Sequence, residues 1–89
     1  MAIIKSSKLY KTLKFISKND KQFKYEIYQS YDGVNIFAVV YILIELQNGS
    51  AVWVWSVLDE EIILLSGGQH PDHADQAARE HFSSNYAEE

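Results

Sequence analysis

The chain has no cysteine, one proline and four glycines in 89 residues. Without thiols it has neither disulfide staples nor thiolate metal ligands. So little proline and glycine leaves no linker or low-complexity tract, and the length suits one domain. No apolar run approaches the roughly 20 residues that cross a bilayer as a helix; the longest, Ile36 to Ile44, is nine. The opening Met1-Ala2-Ile3-Ile4-Lys5 lacks the apolar core of a secretory signal, so a cytoplasmic protein without membrane contact is expected. Bases are nearly absent past residue 24, where only Arg79 remains.

What is present is globular: 47% hydrophobic and 22% charged residues, with a net charge of −4. The charge is unevenly spread. Lys5, Lys8, Lys11, Lys14, Lys18, Lys21 and Lys24 crowd the first 24 residues, and Asp20 is the one acid among them. Such a segment either lies beside an acidic surface of the same protein or of a second copy, or forms a nucleic-acid or membrane arm. An overall acidic chain argues against a dedicated duplex-DNA binder.

Residues 21–30 alternate, with Phe23, Tyr25 and Ile27 on one side and Lys24, Glu26 and Tyr28 on the other, the period of a half-buried strand. Tyr31-Asp32-Gly33 supplies a turn. Residues 34–46 are apolar on both alternating sets and rich in β-branched and aromatic residues, which predicts a central strand covered on both faces. Asn48-Gly49 suits a two-residue type I′ turn. In that register Ile44 opposes Trp53 and Ile42 opposes Trp55, while Leu43 opposes Val54, so both tryptophans share a face with Ile42 and Ile44. A slip of one residue exchanges the faces of a whole strand. Asp59-Glu60-Glu61 reads as a further turn, with Ile62–Leu65 as a short last strand and Ser66-Gly67-Gly68 as the exit from the sheet.

Residues 71–83 read as a helix, with Pro71 in the first turn, Asp72 or Asp75 at its positive end, an Asp75–Arg79 pair, and a stripe of Ala74, Ala77, Ala78, His81 and Phe82. Residues 84–89 are expected to fray. Residues 5–18 fit two readings. Leu9, Leu13 and Ile16 have helical spacing with Ser6 or Ser7 as a cap. The favoured alternative is a lysine-guarded edge strand with Lys18-Asn19-Asp20-Lys21 as its turn, in which Lys11 spoils the inward set of Leu9, Leu13 and Phe15.

The expectation is thus a single α+β domain: a basic segment 1–20, a meander over 21–66 making a four- to five-stranded antiparallel sheet, and a C-terminal helix packed on one face.

Chemistry is thinly represented. His70 and His73 are three apart with Pro71 between them, and His81 lies two turns on, so no metal-ligand set forms. The serines sit in no nucleophile context. Glu26 and Glu45 are an acid pair only if the fold brings them together. Ser66-Gly67-Gly68 lacks the Lys-Ser/Thr of a phosphate cradle. No catalysis and no cofactor are expected.

The aromatics, 13% of the chain, point to core and interface. The leading expectation is a protein-interaction or regulatory/accessory module whose partner the sequence does not identify. It would also form a homodimer. With the helix over the tryptophan face, the opposite face of Val39, Tyr41, Leu43, Val54 and Leu58 would meet a second copy; an edge-to-edge dimer through an outer strand is the runner-up. One alternative is single-stranded nucleic-acid binding through Lys8, Lys11, Lys14, Lys18, Lys21 and Lys24 with sheet aromatics. Another is a small ligand in an apolar pocket under the helix.

Overall fold

The computed structural model describes residues 7–30, 35–47, 49, 51–65 and 71–89. The expected turn at Tyr31-Asp32-Gly33, the exit at Ser66-Gly67-Gly68, and His70 lie outside them. Four strands, β1 (Ser7–Ile16), β2 (Gln22–Ser30), β3 (Ile36–Glu45) and β4 (Trp53–Leu65), form one antiparallel sheet in the order β1-β2-β3-β4. A single 3-10 turn (Pro71–His73) leads into the helix α1 (Ala74–Asn85). The α+β meander with its C-terminal helix is therefore as the sequence predicts.

The helix lies on the face to which each strand contributes apolar side chains. Phe23, Tyr25 and Ile27 of β2 and Ile36, Ala38 and Val40 of β3 are buried there with Ala74, Ala78 and Phe82 of α1. Leu13 and Phe15 of β1 and Ile62 and Leu64 of β4 pack around them. The two alanines, fully buried, bring the helix axis close to the strands. Phe82 fills the remaining space: its ring stacks on Phe15 at 4.8 Å and meets Phe23 edge-on at 5.4 Å. The predicted helical stripe is thus the packed one, with the helix running two residues further than expected.

Residues 5–18 resolve in favour of the strand over the described part. A register shift between Leu9 and Lys11 explains why Lys11 seemed misplaced. Leu9 opposes Tyr28, while Tyr10 and Lys11 both turn toward the helix. There Tyr10 donates its hydroxyl to Asp72 at 3.0 Å, and the Lys11 ammonium bonds both carboxylate oxygens of Asp75, at 3.0 and 2.9 Å. Asp75 therefore serves β1, not the expected in-helix pair with Arg79. The extra residue of the bulge lets two side chains hold the helix start.

The other end is held as well. The turn 17–21 places Asp20 at φ 65°, a conformation aspartate tolerates. Its Lys18 amide donates to the Ala87 carbonyl at 2.7 Å, and the Asn19 side-chain amide to the Glu89 carbonyl at 2.6 Å. Lys18–Glu88 (3.4 Å) and Lys21–Glu89 (4.0 Å) add exposed ion pairs. The tail expected to fray is instead seated on the first hairpin, because the basic turn faces the acidic terminus.

Two strand assignments are corrected. Asp59-Glu60-Glu61 is not a turn. β4 runs through it as one 13-residue strand, and register shifts opposite Ile36 to Tyr41 absorb the extra residues as bulges. The β3–β4 connection is also not a two-residue loop. The Leu46 amide donates to the Val52 carbonyl at 2.8 Å, and positive φ falls at Gly49 (79°) and Ala51 (62°). The loop is longer than two residues, and β4 is displaced by one position. Trp53 now opposes Glu45, Trp55 opposes Leu43, and Val57 opposes Tyr41. Both tryptophans therefore leave the helix side. The predicted Ile44–Trp53 and Ile42–Trp55 pairs are replaced by Ile44–Val54 and Ile42–Ser56.

Candidate functional site

The face opposite the helix carries the candidate site. Its odd-numbered β3 positions and even-numbered β2 positions follow from the β2–β3 register, in which Lys24 opposes Tyr41, Glu26 opposes Val39 and Tyr28 opposes Phe37. Phe37 and Val39 are buried, with the Tyr28 ring stacked on Phe37 at 5.7 Å. Toward the β3–β4 hairpin the face opens. Tyr41, Leu43 and Trp55 are half-buried there, Trp53 is 56% exposed and Val57 is 49% exposed.

The five predicted interface residues do not form one surface. Tyr41 and Leu43 lie on the open face as expected. Val39 is on the same face but sealed. Val54 belongs to the helix side, opposite Ile44, and Leu58 sits at the register shift between Val57 and Asp59. The one-residue displacement of β4 is the cause: it exchanged Val54 for Trp53 and Trp55.

A polar network stiffens the open face. Glu26 accepts from the Tyr28 hydroxyl at 3.2 Å and from the Tyr41 hydroxyl. Burial, then these contacts with Glu26, push the Tyr41 phenol up to about 12. The Lys24 ammonium lies 3.6 Å from Glu26, 4.6 Å from the Tyr41 ring centroid and 4.8 Å from that of Trp55. Lys14 approaches Trp55 at 5.9 Å. Two cations against one indole orient the ring by cation–π attraction. Glu26 and Glu45 do not converge: Glu45 lies six residues beyond Val39 along β3, about 20 Å at the strand rise, and accepts from the Ala51 amide at 3.1 Å.

The six lysines assigned to nucleic acid divide. Lys11, Lys18 and Lys21 pair with Asp75, Glu88 and Glu89. Lys14 and Lys24 lie over aromatic rings, and Lys8 sits opposite Gln29 at the start of β1. With Lys24 also beside Glu26, four of the six thus meet the protein's own acids.

Two pockets are lined by the described residues alone. The larger, about 720 Å³, is a notch at the end of the sheet where β3 runs past β2, between the 17–21 turn and Trp53. The smaller, about 340 Å³, opens between β4 and α1 beside His81. It lies at the margin of the helix–sheet interface, whose middle is filled by Phe15, Phe23, Tyr25 and Phe82. Among the described residues no group of three or more His, Asp or Glu side chains gathers as a metal site. Asp72 and Asp75 face Tyr10 and Lys11 instead. Among the same residues no helix is long and apolar enough to cross a membrane.

One polar pair escaped the sequence reading. The Tyr25 hydroxyl is 2.7 Å from His81 Nδ1. Burial pushes the Tyr25 phenol well up, so its O–H stays on, and the hydroxyl and the ring nitrogen share one hydrogen bond. Burial also lowers the His81 imidazole against the opposing pull of Asp59. The signal was available: a histidine in the buried stripe of a helix needs a partner, and a strand tyrosine opposite it can supply one.

The pair makes stability pH-dependent. With the folded value depressed, the unfolded chain binds more protons just below the ordinary histidine value of about 6.5. The contribution of His81 is complete above that value and is lost as the pH falls below it. The thermal midpoint should therefore fall on acidification from pH 7 to pH 5. His81→Gln should flatten that part of the profile; an unchanged slope in the variant would remove His81 as its source.

Compared with protein-family models, curated protein sequences and solved structures, the chain matches none of them.

Proposed function

We propose that the protein is a small, non-catalytic protein-interaction module of a regulatory or accessory kind, homodimeric and cytoplasmic. It engages a partner protein through the open face at Tyr41, Leu43, Trp53, Trp55 and Val57. The observation that carries this reading is the position of the two tryptophans. They stand with Val57 on the side the helix leaves bare, as a contiguous patch rather than as scattered apolar residues. Tryptophan and tyrosine dominate interface energetics because each offers a large apolar area with a polar tip. Tyr41 and Trp55 are also held in place by Glu26, Lys24 and Lys14, so little side-chain freedom is lost on contact. The test is capture of partners from the source cell by the wild-type chain and by Trp53→Ala in parallel, read by mass spectrometry. A protein retained by the first and lost by the second supports the reading; identical captures contradict it.

A second reading has one specific observation behind it. Lys14 and Lys24 stand among aromatic rings on an open sheet, which is also how single-stranded nucleic acids are held by stacking and charge. The two separate by salt. Oligonucleotide affinity should collapse between low and physiological salt, whereas an apolar protein contact should persist. If single-stranded DNA and RNA fail to bind at low salt, the second reading is discarded.

A further inference from the structure

We infer that the homodimer forms through the outer edge of β4, by antiparallel pairing of Trp53–Val57 with the same segment of a second copy about a twofold axis at Trp55. The inference rests on the homodimer reading above and gives it a geometry. It leaves the aromatic face open to the partner protein.

The first argument is which backbone groups are available. Leu46 bonds Val52, so by antiparallel alternation Val54 and Ser56 also direct their N–H and C=O groups to β3. Those of Trp53, Trp55 and Val57 therefore point away from the sheet. Among the described residues no strand lies beyond β4. The segment is bounded by irregular backbone: positive φ at Ala51 on one side and the register shift past Val57 on the other. The regular stretch is Trp53–Val57, and its midpoint is Trp55.

The second argument is self-complementarity. In an antiparallel ladder, outward-pointing residues pair with outward-pointing residues. A twofold at Trp55 obeys this rule and pairs the whole regular stretch: Trp53 meets Val57 of the other copy, Trp55 meets itself, and Val54 meets Ser56. Every facing pair on the aromatic side is apolar. Asp59 falls opposite Ala51, so the acids of the strand do not face their own copies, where like charges directly opposed would repel. Shifting the axis toward Asp59 brings them together.

The third argument is the contrast between the two edges. β1 carries Lys11 and Lys14, contains a bulge, and has its side chains engaged with the helix. These are standard guards against edge pairing. The hairpin half of β4 carries none, and Trp53, Val54, Val57 and Leu58 are exposed along it. A regular, largely apolar and unguarded stretch of edge, in a chain whose other edge is guarded, is a stretch that pairs. The axis stands perpendicular to the sheet, so both helices lie on one side and both aromatic faces merge on the other.

The absence of cysteine makes the test clean, since each variant carries a single thiol. Residues that pair across a hydrogen-bonded site have Cα atoms about 5.5 Å apart, within disulfide reach. Under mild oxidation Trp55→Cys should convert nearly fully to a disulfide-linked dimer. Ser56→Cys, whose facing residue is Val54, should not. Val57→Pro removes an outward N–H and leaves the β3 ladder whole. It should weaken the dimer about tenfold or more with unchanged far-UV circular dichroism. Sedimentation equilibrium of the wild type should give twice the chain mass of 10.2 kDa. A dimeric wild type in which Trp55→Cys stays unlinked and Val57→Pro stays dimeric overturns the edge geometry while the homodimer stands. A wild type that sediments as a single chain overturns both.

Discussion

Phe82→Ala should destabilise the protein by about 3–5 kcal/mol, the range for truncating a buried phenylalanine. Phe82 is 7% exposed in the last turns of the only α-helix among the described residues. Its ring lies between Phe15 of β1 and Phe23 of β2. Tyr86, stacked on Phe23 at 5.2 Å, extends the same cluster and leads into the tail held by the first hairpin. Truncation would open a cavity that neither alanine neighbour in the stripe can fill. A domain of this size has a total stability of about 4–13 kcal/mol, at the usual amount per residue. The loss is therefore a large share of it. Urea unfolding should show the midpoint falling with the slope unchanged. A change below about 1 kcal/mol would mean that α1 does not close the core.

Trp53→Ala should behave in the opposite way. Trp53 is more than half exposed, and its truncation should change stability by no more than about 0.5 kcal/mol. Its effect should appear in binding: a loss of about 2 kcal/mol or more, roughly 30-fold in affinity for the captured partner. An exposed tryptophan in an interface supplies more area than any neighbour, and half-buried Leu43 and Trp55 continue the apolar surface beside it. Isothermal titration with the purified partner reads the affinity, and thermal melts of the same sample read the stability. An unchanged affinity would place the contact elsewhere on the surface.

Strands and helix were legible because their patterns are local. The alternation of Phe23, Tyr25 and Ile27, the β-branched run of β3 and the alanine stripe of α1 each specify one element without reference to the rest. The lysine-rich segment was only half legible, because the spacing of Leu9, Leu13 and Ile16 suits a helix as well as the favoured edge strand. What failed was long-range. β3 is apolar on both faces, so burial alone does not pin the register of its partner. The placement of β4 then hung on the length of one loop, and that length decides the face of Trp53, Trp55 and Val54 together. Acids inside a strand read as a turn, because a bulged edge strand and a hairpin tip favour the same residues. Lys11 looked like an error in the pattern until the bulge beside it and Asp75, 64 positions away, were in view. The Tyr25–His81 bond likewise joins residues 56 positions apart.

The placement of both tryptophans depends on the register of β3 against β4, and nuclear Overhauser spectroscopy reads that register directly. In the antiparallel ladder the closest Hα–Hα contacts cross the non-hydrogen-bonded pairs, whose Cα atoms are about 4.5 Å apart. Strong Hα–Hα cross-peaks are expected between Leu43 and Trp55 and between Tyr41 and Val57. Cross-peaks joining Ile42 to Trp55 and Ile44 to Trp53 would return the tryptophans to the helix side and contradict that placement.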